Sequence, residues 1–146
     1  MILTLPRIAG ALNSVAQPEQ MGEDGGLRIL VADDDDGFVA LLHELVRGRG
    51  KVIGVAANGV EAIDEAKRLH PDVVLMDLDM PLLGGDDATR QILVSEPLTK
   101  VVIVSGDIEA DRMEVWSSGA VAHIPKDDIA KQLPRVLDEL SPFSVE

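Results

Sequence analysis

Residues 73–81, VVLMDLDMP, decide how the chain is to be read. Apolar residues run without a break into Asp77; Asp79 follows, and Met80-Pro81 end the run. A strand that is apolar at every position is buried on both faces, as in a parallel sheet covered by helices on both sides. An ionised carboxylate at the tip of such a strand must stay near water or find a cation. The stretch therefore predicts a parallel sheet and a chemical role for Asp77.

Upstream of it, LRILVA (27–32) and KVIGVA (51–56) are runs of strand length. Between them, DGFVALLHELVRGRG (36–50) carries Phe38, Leu41, Leu42, Leu45 and Val46 at helical spacing and is stopped by Gly48 and Gly50. Asp36 is expected to cap this first helix. Asn58-Gly59 signals a turn, VEAIDEAKRLH (60–70) a second helix, and Pro71 its end. Downstream, DDATRQILVS (86–95) reads as a helix, KVVIVS (100–105) as a fourth strand, and IEADRMEVWSSG (108–119) as a helix closed by Gly119. AVAHIP (120–125) is a weak fifth strand. DDIAKQLPRVLDEL (127–140) is the last helix, with Pro134 as the place for a kink. Five strand–helix alternations predict an α/β, flavodoxin-like, doubly wound five-stranded parallel sheet of strand order 2-1-3-4-5 with helices on both faces. Ligands of such sheets bind beyond the carboxyl ends of the strands where the winding reverses, here between strands one and three.

The 146 residues suit one domain. With no cysteine, disulfides and thiolate metal sites are excluded. Phe38, Trp116 and Phe143 are the whole aromatic complement, too few for a stacked-ring surface that reads single-stranded RNA. A net charge of −13 repels phosphate backbones and anionic membranes, so neither nucleic acid nor membrane is an expected partner of this chain alone. The expected location is the cytoplasm. Residues 1–26 read as a flexible N-terminal extension: the basic start of a signal peptide is missing, Pro6-Arg7 interrupt the apolar run, and Met21 is a second start candidate. Residues 27–146 form the domain.

Asp33 and Asp34 follow strand one, Asp77 ends strand three, Ser105 ends strand four, and Lys126 comes just after strand five. All five fall at one edge of the predicted sheet. Three carboxylates in one crevice raise each other's pKa values unless a cation joins them. Oxygen donors with neither thiolate nor suitably spaced histidine favour Mg²⁺ over zinc, with the Asp79 backbone carbonyl as a further ligand. Mg²⁺, a carboxylate, an ammonium and a small hydroxyl make a phosphoryl-transfer set. Asp77 would attack phosphorus and become an aspartyl phosphate. Lys126 would neutralise the phosphoryl oxygens, and the Ser105 hydroxyl and Gly106 N–H would hydrogen-bond the product.

ILVADDDD (29–36), VVLMDLDMPLLGG (73–85), VVIVSG (101–106) and HIPK (123–126) come in the order and at the spacing of a response-regulator receiver domain of two-component signalling, which the chain resembles from about Leu27 to Leu140. The resemblance implies that Asp33 and Asp34 are the acidic metal pair, Asp77 the phosphoacceptor, Asp79 a carbonyl ligand, Ser105 the switch hydroxyl and Lys126 the phosphate-binding lysine. Pro81 and Gly85 match the loop after the phosphoacceptor. His123 stands where many members have a Tyr or Phe that turns inward on phosphorylation, which makes it a switch candidate. Asp127-Asp128 after the lysine, where many members have proline, look like receivers attached to helix-turn-helix output domains. The expectation is a stand-alone receiver or one cut from a longer regulator. Its donor would be a phosphohistidine of a sensor histidine kinase or a histidine phosphotransfer protein. It would signal to a downstream protein or output domain through the face of the fourth helix, fifth strand and fifth helix, with a homodimer through that face left open. It would not be an enzyme acting on an outside metabolite.

A phosphatase of the haloacid dehalogenase type is an alternative, since Asp77-Leu78-Asp79 resembles its Asp-x-Asp motif, but Met80-Pro81 follow where that family has Gly-Thr or Gly-Val. A pseudo-receiver that only binds is another, although such proteins usually lose the acceptor or the lysine. His43 and His70 read as surface residues, Met76 and Met80 as gap-filling packing, and Trp116 as a half-buried aromatic or a partner anchor.

Overall fold

The computed structural model describes residues 26–106 and 112–141. Its elements are β1 (Leu27–Ala32), α1 (Asp36–Leu45), β2 (Gly50–Ala56), α2 (Gly59–Leu69), β3 (Val73–Asp77), α3 (Gly85–Ser95), β4 (Lys100–Ser105), α4 (Arg112–Ser117), β5 (Ala122–Pro125) and α5 (Ile129–Leu140), with a 3₁₀ turn at Lys126–Asp128 before α5. The strands pair in parallel in the order β2-β1-β3-β4-β5, as the alternation predicts.

Successive strand side chains point to opposite faces, and both faces are covered. Ile29, Val31, Val73, Leu75, Val102, Val104 and Ile124 meet Val39, Leu42 and Val46 from the α1 region and Leu133 and Leu137 of α5. Leu30, Ala32, Val74, Met76, Val101 and Ile103 meet Ala62 and Ala66 of α2, Ala88 and Ile92 of α3, and Val115 of α4. Two apolar layers are why β3 has no polar residue before Asp77. Full burial of one large side chain is worth about 1.5–3 kcal/mol, so these layers fix the strand ends that carry the polar residues.

One expectation changes. Asp35, not Asp36, caps α1: its Oδ1 accepts from the N–H groups of Gly37 at 2.9 Å and Phe38 at 3.1 Å. A cap needs extended backbone, which Asp35 has at φ −98° and ψ 105°, whereas Asp36 is already helical. Pro134 lies inside α5, which runs on to Leu140 as read from the sequence, anchored by buried Leu133 and Leu137 on either side of the proline. Trp116 is 51% exposed, which fits either sequence reading of it, because Val115 and Ser118 take the inward positions beside it. The predicted start of the fourth helix at 108–111 and nearly all of the N-terminal extension lie outside the described residues. Gly119 closes that region in a left-handed conformation, φ +101°, as expected of a helix-ending glycine.

Candidate functional site

Register brings the polar residues to one edge. Ala32 pairs with Met76, so the next residues, Asp33 and Asp77, stand side by side at the crossover point of the sheet. Asp77 pairs with Val104, and Ser105 pairs with Pro125, which places Ser105 and Lys126 just beyond on the neighbouring strands. The chain turns out of β1 because Asp33 Oδ1 accepts the Asp35 N–H at 2.8 Å, an Asx turn that leads into the cap of α1. The loop after β3 is closed by the Gly85 N–H, which donates to the Leu78 carbonyl at 2.9 Å. A side chain at Gly85 would overlap the Asp77 carbonyl oxygen, so glycine there lets α3 start directly against the end of β3.

Lys126 Nζ lies 3.0 Å from Asp33 Oδ2 and 3.5 Å from Asp77 Oδ1. Carboxylate oxygens of Asp33, Asp34 and Asp77 lie within 4.8 Å of one another. Asp33 and Asp77 are buried, at 3% and 6% exposure, whereas Asp34 is exposed. The site is thus dry on one side and open on the other. Burial and the charge of Asp33 push the Asp77 carboxyl up to about 6, against the opposing pull of Lys126 and the Asp79 N–H. Burial lowers the Lys126 ammonium, but its hydrogen bond to Asp33 and the charges of Asp77 and Asp33 outweigh that and leave its pKa above the ordinary lysine value.

Three carboxylates and one ammonium leave negative charge in excess. The donors are all oxygen, and one of them faces solvent. Such a set suits a hard, partly hydrated dication. Asp77 is already protonation-prone, and a cation beside it would relieve that.

Asp33, Asp34, Asp77 and Lys126 are brought together as the sequence predicts. The Asp79 N–H donates to Asp77 Oδ1 at 3.4 Å. Ser105 is fully buried at the end of β4, and Gly106 after it is exposed. His123 lies apart from the carboxylates, half-buried on β5 beside Ile103, with its ring edge-on to Trp116 of α4 at 6.5 Å and 70°. One site neighbour escaped the sequence reading: the Lys126 Nζ sits over the Phe38 ring, 4.5 Å from its centroid. Phe38 reads in sequence as a core residue of the first helix, and only its place in the first turn after the acidic run hints at more.

The chain matches the family model of the response regulator receiver domain over residues 29–138. A protein-glutamate methylesterase/protein-glutamine glutaminase of Myxococcus xanthus is 44% identical over 105 residues, 68% of this chain and 30% of that protein. One of Vibrio vulnificus is 37% identical over 112 residues, 72% of this chain and again 30% of the relative. The chain therefore spans less than a third of the length of these curated relatives. Among solved structures, the response regulator domain of Thermotoga maritima CheB is 30% identical with a TM-score of 0.72, covering 80% of this chain and 96% of that one. The receiver domain of a Pseudomonas aeruginosa sensor histidine kinase, solved with a magnesium ion in its active site cleft, shares the fold at 24% identity and a TM-score of 0.71, covering 79% of this chain and 97% of that one.

Proposed function

The chain belongs to the response regulator receiver domain family of phosphorylation-activated switches, and on that premise we propose that Asp77 is its phosphoacceptor. An Asp77 oxygen attacks the phosphorus of a phosphohistidine on a sensor histidine kinase or histidine phosphotransfer protein. The O–P bond forms as the N–P bond breaks, and the imidazole leaves and is reprotonated from water. The observation that carries this reading is the Lys126 ammonium lying between two buried carboxylates, 3.0 Å from Asp33 and 3.5 Å from Asp77.

Asp33, Asp34, Asp77 and the Asp79 carbonyl would hold Mg²⁺, which when bound supplies positive charge to the phosphoryl oxygens. Lys126 supplies the second positive charge from the protein side. The Ser105 hydroxyl and Gly106 N–H hydrogen-bond the phosphoryl group, and movement of Ser105 draws the end of β4 with it. That shifts a two-state equilibrium of the α4–β5–α5 face, which a downstream protein or output domain reads. The names of the relatives favour a methylesterase-type output, attached or separate. Water resets the switch by hydrolysing the acyl phosphate, without turnover of an outside metabolite. We assign residues 27–146 to the receiver, 1–26 to an extension, and its action to the cytoplasm.

Intact mass after incubation with acetyl phosphate and Mg²⁺ tests the reading. A gain of one phosphoryl group, prevented by chelator and removed by hydroxylamine, is expected. No adduct from acetyl phosphate or from a phosphohistidine donor would sink it. His123 is proposed as a second switch residue because its ring rests against the exposed Trp116 of the output face. Its ring resonances are expected to move on phosphorylation; identical shifts in both states would remove it from the switch.

A further inference from the structure

We propose that Phe38 is a positioning residue for the phosphoryl chemistry, its ring face holding the Lys126 ammonium over Asp33 and Asp77. The contact stands on geometry alone, and its consequence for rate rests on the reading of Asp77 as acceptor.

A lysine head group is a compact, strongly hydrated charge on a flexible stem. At a crevice mouth it can swing into water, away from where charge develops. Here three things surround it. Asp33 lies at 3.0 Å, Asp77 at 3.5 Å, and the Phe38 centroid at 4.5 Å, inside the range of about 6 Å over which an aromatic face attracts a cation. The ammonium has three N–H donors, and two carboxylates and a ring face together close most of its surroundings, leaving the side chain 26% exposed. The ring itself is held in place. The Phe38 N–H donates to the Asp35 cap at 3.1 Å, and the side chain packs on the α1–α5 core layer. The acidic run thus does two things at once: Asp33 pairs with the lysine, and Asp35 fixes the turn that carries the ring against it. A donor already held where the phosphoryl charge will appear needs no reorganisation during transfer. An aliphatic residue would fill the same volume without attracting the charge.

The test compares Phe38→Leu and Phe38→Tyr, each in the wild-type and the Lys126→Met background. The Lys126 ε-protons should lie upfield in wild type through the ring current, return toward ordinary lysine positions in Phe38→Leu, and stay upfield in Phe38→Tyr. Phosphoryl uptake from acetyl phosphate at saturating Mg²⁺ should slow about fivefold in Phe38→Leu and recover in Phe38→Tyr. In the Lys126→Met background the leucine change should have no further effect on rate, because the ring acts through the ammonium. Unchanged ε-proton shifts in Phe38→Leu would overturn the contact. A rate loss that persists at full size without the lysine would show a packing role only and overturn the positioning role. If the ε-protons behave as expected and wild type accepts no phosphoryl group from any donor, the acceptor reading falls, and the rate half of this proposal with it.

Discussion

Asp77→Asn will abolish phosphoryl uptake and, in the same protein, raise the stability of the metal-free fold. The first effect follows from removing the carboxylate proposed to attack phosphorus. The second follows from where that carboxylate sits. Asp77 is 6% exposed, and burial and Asp33 lift its pKa from 3.8 to about 6. Between about pH 4 and about pH 6 the folded protein binds the Asp77 proton more tightly than the unfolded chain does. Unfolding free energy therefore falls as pH rises through that window and is level above it. The difference between 3.8 and about 6 corresponds to about 2–3 kcal/mol. An amide of the same shape carries no charge to desolvate, and Lys126 keeps Asp33 at 3.0 Å as its partner. Denaturant unfolding at pH 7.5 (about physiological) should thus show the asparagine variant ahead by about 2 kcal/mol, with the gap closing toward about pH 4. Saturating Mg²⁺ should narrow it too, since a ligand of the native state stabilises the wild type and the variant has lost one carboxylate. An asparagine variant less stable than wild type without metal would contradict the placement of Asp77 as a desolvated carboxylate.

The same feature explains how much of the protein could be read from its sequence. In a doubly wound parallel sheet every strand's carboxyl end lies at one edge, so Asp33, Asp34, Asp77, Ser105 and Lys126 needed no side-chain information to be placed together. Their positions follow from where apolar runs stop. The contacts that were not legible depend on rotamers or on single backbone angles. In the run Asp33–Asp36 composition does not choose a cap; the φ and ψ of Asp35 do. Lys126 and Phe38 are remote in sequence and meet only because α1 and the turn before α5 cover the same face. His70, which reads as a plain surface histidine, closes α2 in the left-handed region at φ 50°, and its Nδ1 lies 2.9 Å from Glu96. The Arg28 guanidinium donates to the carbonyls of Leu69 and His70 at that helix end, at 2.9 and 2.8 Å. No periodicity encodes such an arrangement.

Lys126→Met separates two roles that the ammonium combines. It is an internal counter-ion for Asp33 and Asp77, and it competes with any dication for the same oxygens. Methionine keeps much of the stem's bulk and removes the charge. Without it, two buried carboxylates face each other uncompensated, and the metal-free protein should lose about 1–3 kcal/mol, below the cost of breaking a fully buried pair because the lysine is partly exposed. Lys126 pulls the Asp77 pKa down, so the variant's Asp77 carboxyl should titrate higher than in wild type, as read by carbon NMR of that group. Mg²⁺ should bind more tightly, because no fixed cation competes for the oxygens. Phosphoryl uptake at saturating Mg²⁺ should nevertheless fall by about 10²-fold, the typical loss when one preorganised donor to a developing anion is removed. Tighter metal and slower transfer have opposite signs, and a mere loss of folding would weaken both. A variant that binds Mg²⁺ more weakly and still accepts phosphoryl groups at the wild-type rate would place the ammonium outside the reaction, as a structural ion-pair partner alone.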